Sequence, residues 1–202
     1  MKIVKDSSEN EMLLCFLKGE LSSKRFHKQL EETLNKLNLN QDIILNGDIN
    51  SVLENNQRKE IMKLFRGYPI EELFYNFPQN IEWKYVKFDA DDFNKIYYID
   101  YDYWNELSNN TSKPIEAAKT IRNGIEVFGI SNKAFIEGKA NIKDIRLKPI
   151  ILLTCNEEKY LIIEGHSRMT VYGLNPSYFE NTYGFVGFCS KEEMRKYDSR
   201  MI

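Results

Sequence analysis

Apolar residues recur at helical spacing through the first third of the chain and at strand spacing beyond it, with the change near residue 80. Phe26, Leu30, Leu34 and Leu37 repeat at i, i+4, i+8 and i+11 behind Ser22 and Ser23, which predicts an amphipathic helix with a hydroxyl cap. Met12, Leu13, Phe16 and Leu17 predict a shorter helix before it. Ile61, Leu64, Phe65 and Tyr68 predict another, closed by Gly67 and Pro69, with a further helical turn expected over 69–77. From Ile81 the period falls to two. Glu82 to Phe88 alternates, and the aromatic run Ile96-Tyr97-Tyr98-Ile99 is strand-like. A helix between Ser112 and Gly124 is marked by Pro114 in its first turn and by the stripe Ala117, Ala118 and Ile121. Residues 125–148 show no clear period.

The longest apolar runs, Ile150-Ile151-Leu152-Leu153 and Tyr160-Leu161-Ile162-Ile163, flank the polar turn Asn156-Glu157-Glu158. They predict a hairpin buried on at least one face. A strand over Gly184 to Phe188 and a polar helix from Lys191 to about Tyr197 follow. Helices first, then strands mixed with helices, give an α+β class. The expected organisation is a helical segment over 1–80 and an α+β domain over 81–202.

Composition narrows the function classes. The chain has 202 residues, 42% hydrophobic and 29% charged, a globular composition with enough length for a real core. Met1 to Asn10 is polar and acidic, and no apolar run reaches 18 residues, so neither a membrane span nor a signal peptide is expected and the default address is the cytoplasm. Cys15, Cys155 and Cys189 have no CxxC spacing, which argues for reduced, mostly buried thiols rather than a disulfide or zinc framework. Lys plus Arg is 28 and Asp plus Glu 30. The balance holds over 1–80 and over the remainder, so no basic half exists to wrap a polyanion, which argues against nucleic acid as the partner.

One stretch carries chemistry: Ile162-Ile163-Glu164-Gly165-His166-Ser167-Arg168, where a buried strand meets a glycine turn and a helix start. Gly165 permits a tight backbone path, and the first N–H groups of the helix, with its dipole, attract an anion. Arg168 adds a guanidinium suited to phosphate oxygens. His166 and Ser167 stand at the helix start, where the local field keeps an imidazole neutral until a phosphate binds. Glu164, at the strand end, is placed as a general base or metal ligand. The same residues also suit an ordinary helix start, with Arg168 paired to Glu164 and His166 bonded to a backbone carbonyl.

From Lys148-Pro149-Ile150 through the turn to Glu164-Gly165-His166-Ser167-Arg168 and Tyr172, the chain resembles the strand-turn-strand and Gly-x-x-Arg pattern of the ParB/sulfiredoxin superfamily over about 25 residues. The resemblance implies a ParB/sulfiredoxin-like mixed sheet with a phosphate-binding loop at Gly165, His166, Ser167 and Arg168. It implies a nucleotide or other phosphorylated ligand, with Mg²⁺ carried by a nucleoside triphosphate. Glu164 and His166 become the candidate catalytic residues for phosphoryl transfer or nucleotide hydrolysis. The loop is closest to the kinase-type Asp-Gly-His-His-Arg sequence but lacks its second histidine, and His166 and Ser167 stand where sulfiredoxin has its cysteine and histidine. Sulfinic-acid reduction is therefore not expected. A DNA-associated module or nuclease of the ParB-like kind, and a non-catalytic interaction protein, are the alternatives.

Other features have plainer expectations. Tyr97 to Trp104 either stacks a base or packs its rings into the core, and packing is favoured. Asp89, Asp91 and Asp92 suggest a solvated turn, because the glycine and glutamate of a calcium loop are missing. His27 and Lys113 are expected at the surface. Arg58, Lys59, Lys63 and Arg66 form a basic helix face expected to be solvated.

Overall fold

The computed structural model describes residues 1–23, 25–143 and 148–202. Its centre is the predicted hairpin, in which β4 (Ile150–Thr154) and β5 (Tyr160–Glu164) pair antiparallel. Both faces of these strands are covered. Ile151, Leu153, Leu161 and Ile163 belong to one hydrophobic layer, and Ile150, Leu152, Tyr160 and Ile162 to the other. Strands buried on two sides read as unbroken apolar runs, so the sequence established one buried face and left the second open.

Four more strands complete a six-stranded mixed sheet among the described residues: β1 (Lys2–Asp6), β2 (Glu82–Lys87), β3 (Ile96–Tyr97) and β6 (Tyr183–Phe188). The order is β1-β2-β6-β4-β5-β3. Strand β6 runs parallel to β4 and β3 parallel to β5, while the other pairs are antiparallel. These directions put the ends of β3 and β5 and the start of β4 at one end of the sheet, along the strand direction. That end carries the candidate site. The α+β class is the one the change of period implies.

The first sheet face is covered by α1 (Glu9–Leu21), α2 (His27–Lys36), α3 (Asp42–Leu45) and α4 (Val52–Arg66). Their buried residues, among them Phe16, Leu30, Met62 and Phe65, share a cluster with Trp83, Leu153 and Phe185 of the sheet. Ser8 and Ser51 cap α1 and α4 through their hydroxyls, and Gly67, left-handed at φ 69°, ends α4. The other face is covered by α5 (Asp102–Leu107), α6 (Pro114–Arg122), α7 (Lys133–Ala140) and α8 (His166–Leu174). Helix α9 (Lys191–Tyr197) follows β6.

Several local expectations change. The acidic N-terminal stretch contains β1, an edge strand exposed along its length, which therefore has no hydrophobic pattern to read. Within 125–148, α7 is described, and 144–147 lie outside the described residues. The basic face of α4 is not a solvated stripe. Arg58 is 1% exposed and donates to the carbonyls of Ile43 and Asp48 at 3.0 and 2.7 Å, to Glu54 and to Asn55. Asp89 and Asp91 are exposed as the solvated-turn expectation has it, but Asp92 is buried and accepts from the Asp89 N–H at 2.9 Å. Lys113 donates to the Asn94 carbonyl at 2.7 Å and lies over the Tyr97 ring. The three thiols are free and partly buried. Among the described residues no helix is long and apolar enough to cross a membrane.

Candidate functional site

Strand β5 ends at Glu164, and the chain then turns through Gly165 at φ 107° into α8. A Cβ at Gly165 would lie 2.9 Å from Ile150 Cγ2, in a backbone conformation side chains rarely adopt. Glycine is required on both counts. It offers no side chain to cap α8, so the first turn, His166, Ser167 and Arg168, starts with unused N–H groups; the first bond of the helix runs from the Met169 N–H to the Gly165 carbonyl, at 2.9 Å. Ser167 is exposed there.

Arg168 is already engaged. Its Nη1 donates to the carbonyls of Lys148 and Pro149 at 2.9 and 2.5 Å, and its Nη2 donates to the Glu164 carboxylate. Both side chains are largely buried, 13% and 17% exposed. The pairing considered beside the phosphate assignment is thus the one present. It ties the loop to the chain entering β4 and neutralises Glu164, which leaves neither group free as drawn from the sequence.

His166 lies flat against Trp104, ring centroids 5.4 Å apart, and Trp104 against the buried Tyr98 at 4.7 Å. The aromatic run at the end of β3 therefore does pack as core, yet Trp104 and Tyr101 also border a cleft. His166 Nε2 is buried without a hydrogen-bond partner among the described residues. Burial, and then the charges of Arg66 and Arg168, push its pKa down to about 3, so the ring is neutral.

The cleft has a volume of about 810 Å³ and separates the α8 start from the helices of the first 80 residues. That volume suits a small-molecule ligand. Glu20, which the sequence did not single out, and Arg66, which it marked only as part of a solvated basic face, both border it. Glu20, near the end of α1, is 6% exposed, and its side chain forms no ion pair or hydrogen bond with a described residue. Burial raises its pKa to about 7; Arg66, Arg25 and Arg168 oppose the rise and Glu164 adds to it. Arg66, at the end of α4, stacks its guanidinium on Phe26 at 4.6 Å, has a buried Nε without a partner, and enters no ion pair among the described residues. Gly19 lets α1 approach closely, since a Cβ there would lie 3.2 Å from Glu164 Oε1. Lys148 reaches across the cleft to Ser22, Nζ to Oγ 3.2 Å.

Buried polar groups are almost always paired, and those that are not call for an explanation. Here an imidazole nitrogen and a guanidinium nitrogen are buried without partners among the described residues, and the largely buried Glu20 side chain stands on the same cavity. A second cavity of about 850 Å³, lined by Phe128, Ile130 and Phe135, adjoins it by sharing Trp104, Tyr101 and Ser167. The sequence held a clue to the place of both residues. Glu20 continues the apolar series Met12 and Phe16 at i+4, and Arg66 follows Met62 at i+4, so each charge sits on a buried stripe.

Among the described residues no three His, Cys, Asp or Glu side chains converge as a metal site. With Glu164 held by Arg168 and Glu20 carrying a raised pKa, these residues form a poor Mg²⁺ site. Comparison of the chain with protein-family models, with curated proteins and with solved structures finds no match.

Proposed function

We propose that this protein binds a phosphorylated ligand of the nucleotide class in the cleft between α1, α4 and the start of α8. The carrying observation is the convergence of Arg66 Nε and His166 Nε2, buried without partners among the described residues, and of the largely buried Glu20 on a cavity that the uncapped end of α8 also borders. A phosphate there meets free N–H groups, the helix dipole and an uncommitted guanidinium. The anion-binding role thus passes from Arg168 to Arg66, and Arg168 holds Glu164 and the loop in place. Trp104 and Tyr101 supply a flat surface for a base. The resemblance of the loop to the ParB/sulfiredoxin superfamily supports the same ligand class. Mg²⁺ enters in this proposal only with the phosphates of a triphosphate. A cytoplasmic setting, in which the three free thiols stay reduced, belongs to the same proposal.

The test is thermal denaturation with each nucleoside triphosphate, with and without Mg²⁺, and with inorganic phosphate. A ligand at about 100 times its Kd stabilises the protein by about 2.7 kcal/mol. Arg66→Ala is expected to abolish that gain and leave the unliganded midpoint close to wild type. No stabilisation by any phosphate compound, or an equal gain in Arg66→Ala, would falsify the proposal. Salt-dependent retention on duplex DNA would favour the DNA-associated alternative instead.

A further inference from the structure

Glu20 is the least expected of the cleft groups, because a buried carboxyl normally has a partner. It is 6% exposed and borders the cavity, and its side chain bonds to no described residue. The charged groups around it come from every side. Arg66 approaches from α4, Arg25 from the α1–α2 connection, Glu164 from the end of β5 and Arg168 from α8. Of these, Glu164 and Arg168 satisfy each other, and Arg66 has no carboxylate partner. Of the other carboxyls bordering the cleft, Glu72 and Asp100 are exposed and Asp198 is held by Arg200, so Glu20 is the buried one with lone pairs left over among the described residues.

We propose that Glu20 is a catalytic residue of this cleft, the base that takes a proton from water as that water attacks the terminal phosphoryl group of a bound nucleoside triphosphate. This rests on the phosphate-binding proposal above. In the step, a water O–H bond breaks and its proton passes to a Glu20 carboxylate oxygen. The water oxygen bonds to phosphorus. The bridging P–O bond breaks with its electron pair on the departing diphosphate, and the proton returns to solvent as the products leave. Arg66 and the α8 N–H groups face the charge on the transferring phosphoryl group.

The alternatives within the cleft are weaker. Glu164 is held by Arg168, and His166, with its pKa near 3, is too weak a base at neutral pH. Glu20, near 7, is matched to the task.

The experiment measures phosphate release from ATP, GTP, CTP and UTP with Mg²⁺ by the full chain and by Glu20→Gln and Glu20→Asp, alongside calorimetric affinity for the same nucleotides. Glu20→Gln is expected to lower kcat about 100-fold or more while nucleotide affinity stays within about threefold, and Glu20→Asp to restore part of the rate. The wild-type rate should rise with pH through a midpoint near 7 that Glu20→Gln lacks. Nucleotide binding with no phosphate release, with a rate unchanged in Glu20→Gln, or with rate and affinity lost together in that variant, overturns the role of Glu20 alone. If no triphosphate binds, the role falls together with the ligand assignment.

Discussion

Replacing Glu20 with glutamine tests the site through stability, with no ligand needed. The Glu20 pKa rises from an ordinary 4.5 to about 7 on folding. That is a factor of roughly 300 in proton affinity, worth about 3 kcal/mol. The sign follows from which state holds the proton. Below about pH 4.5 the carboxyl is protonated whether the chain is folded or not, and burial of the neutral group costs the same as for an amide. Between 4.5 and 7 the unfolded chain ionises while the folded one keeps its proton, so folded stability falls as pH rises. Above 7 the loss is complete. Glutamine copies the neutral shape and never ionises, and the other titrating groups cancel between the two proteins. Urea denaturation followed by circular dichroism should therefore give equal stabilities within about 0.5 kcal/mol at pH 4 and a variant more stable by about 3 kcal/mol at pH 8.5. For a chain of this length that corresponds to a Tm higher by roughly 6–12 °C. A difference independent of pH, or a variant less stable at pH 8.5, would mean that Glu20 has a partner in the folded protein. The same result read functionally is a residue that costs stability where it stands, as groups kept for chemistry often do.

Two other substitutions probe the frame around the cleft. Gly165→Ala places a Cβ 2.9 Å from Ile150 Cγ2 at φ 107° and should cost about 1–3 kcal/mol in urea denaturation, with weaker nucleotide binding as α8 shifts; a loss under about 0.5 kcal/mol would contradict the tight turn. Arg58→Met strips the carbonyls of Ile43 and Asp48 of a buried donor and should cost about 3–5 kcal/mol, measured the same way, whereas a loss below about 1 kcal/mol would show that α4 and its preceding loop do not depend on it.

The sequence by itself determined what local patterns can encode. The 3.6-residue stripes placed α1, α2 and α4, and Pro114 and the small-residue stripe placed α6. The two apolar runs placed the β4–β5 hairpin, and the glycine turn placed the start of α8 where it stands. Period alone could not find β1, because an edge strand exposed on both faces buries no side chain set. Nor could it show that β4 and β5 are buried twice, since full burial erases alternation. The site divides in the same way. The loop from Glu164 to Arg168 was legible because its residues are neighbours in the chain, but which charge pairs with which is a property of distance in space. Only the tertiary structure joined Arg168 to Glu164 and the carbonyls of Lys148 and Pro149, and only it set the Glu20 and Arg66 side chains opposite them with no ion-pair partner among the described residues. Those two side chains come from helices some 100 to 145 residues away along the chain. Their charges sit on stripes meant for the core because the stripe ends where the core opens into a cleft.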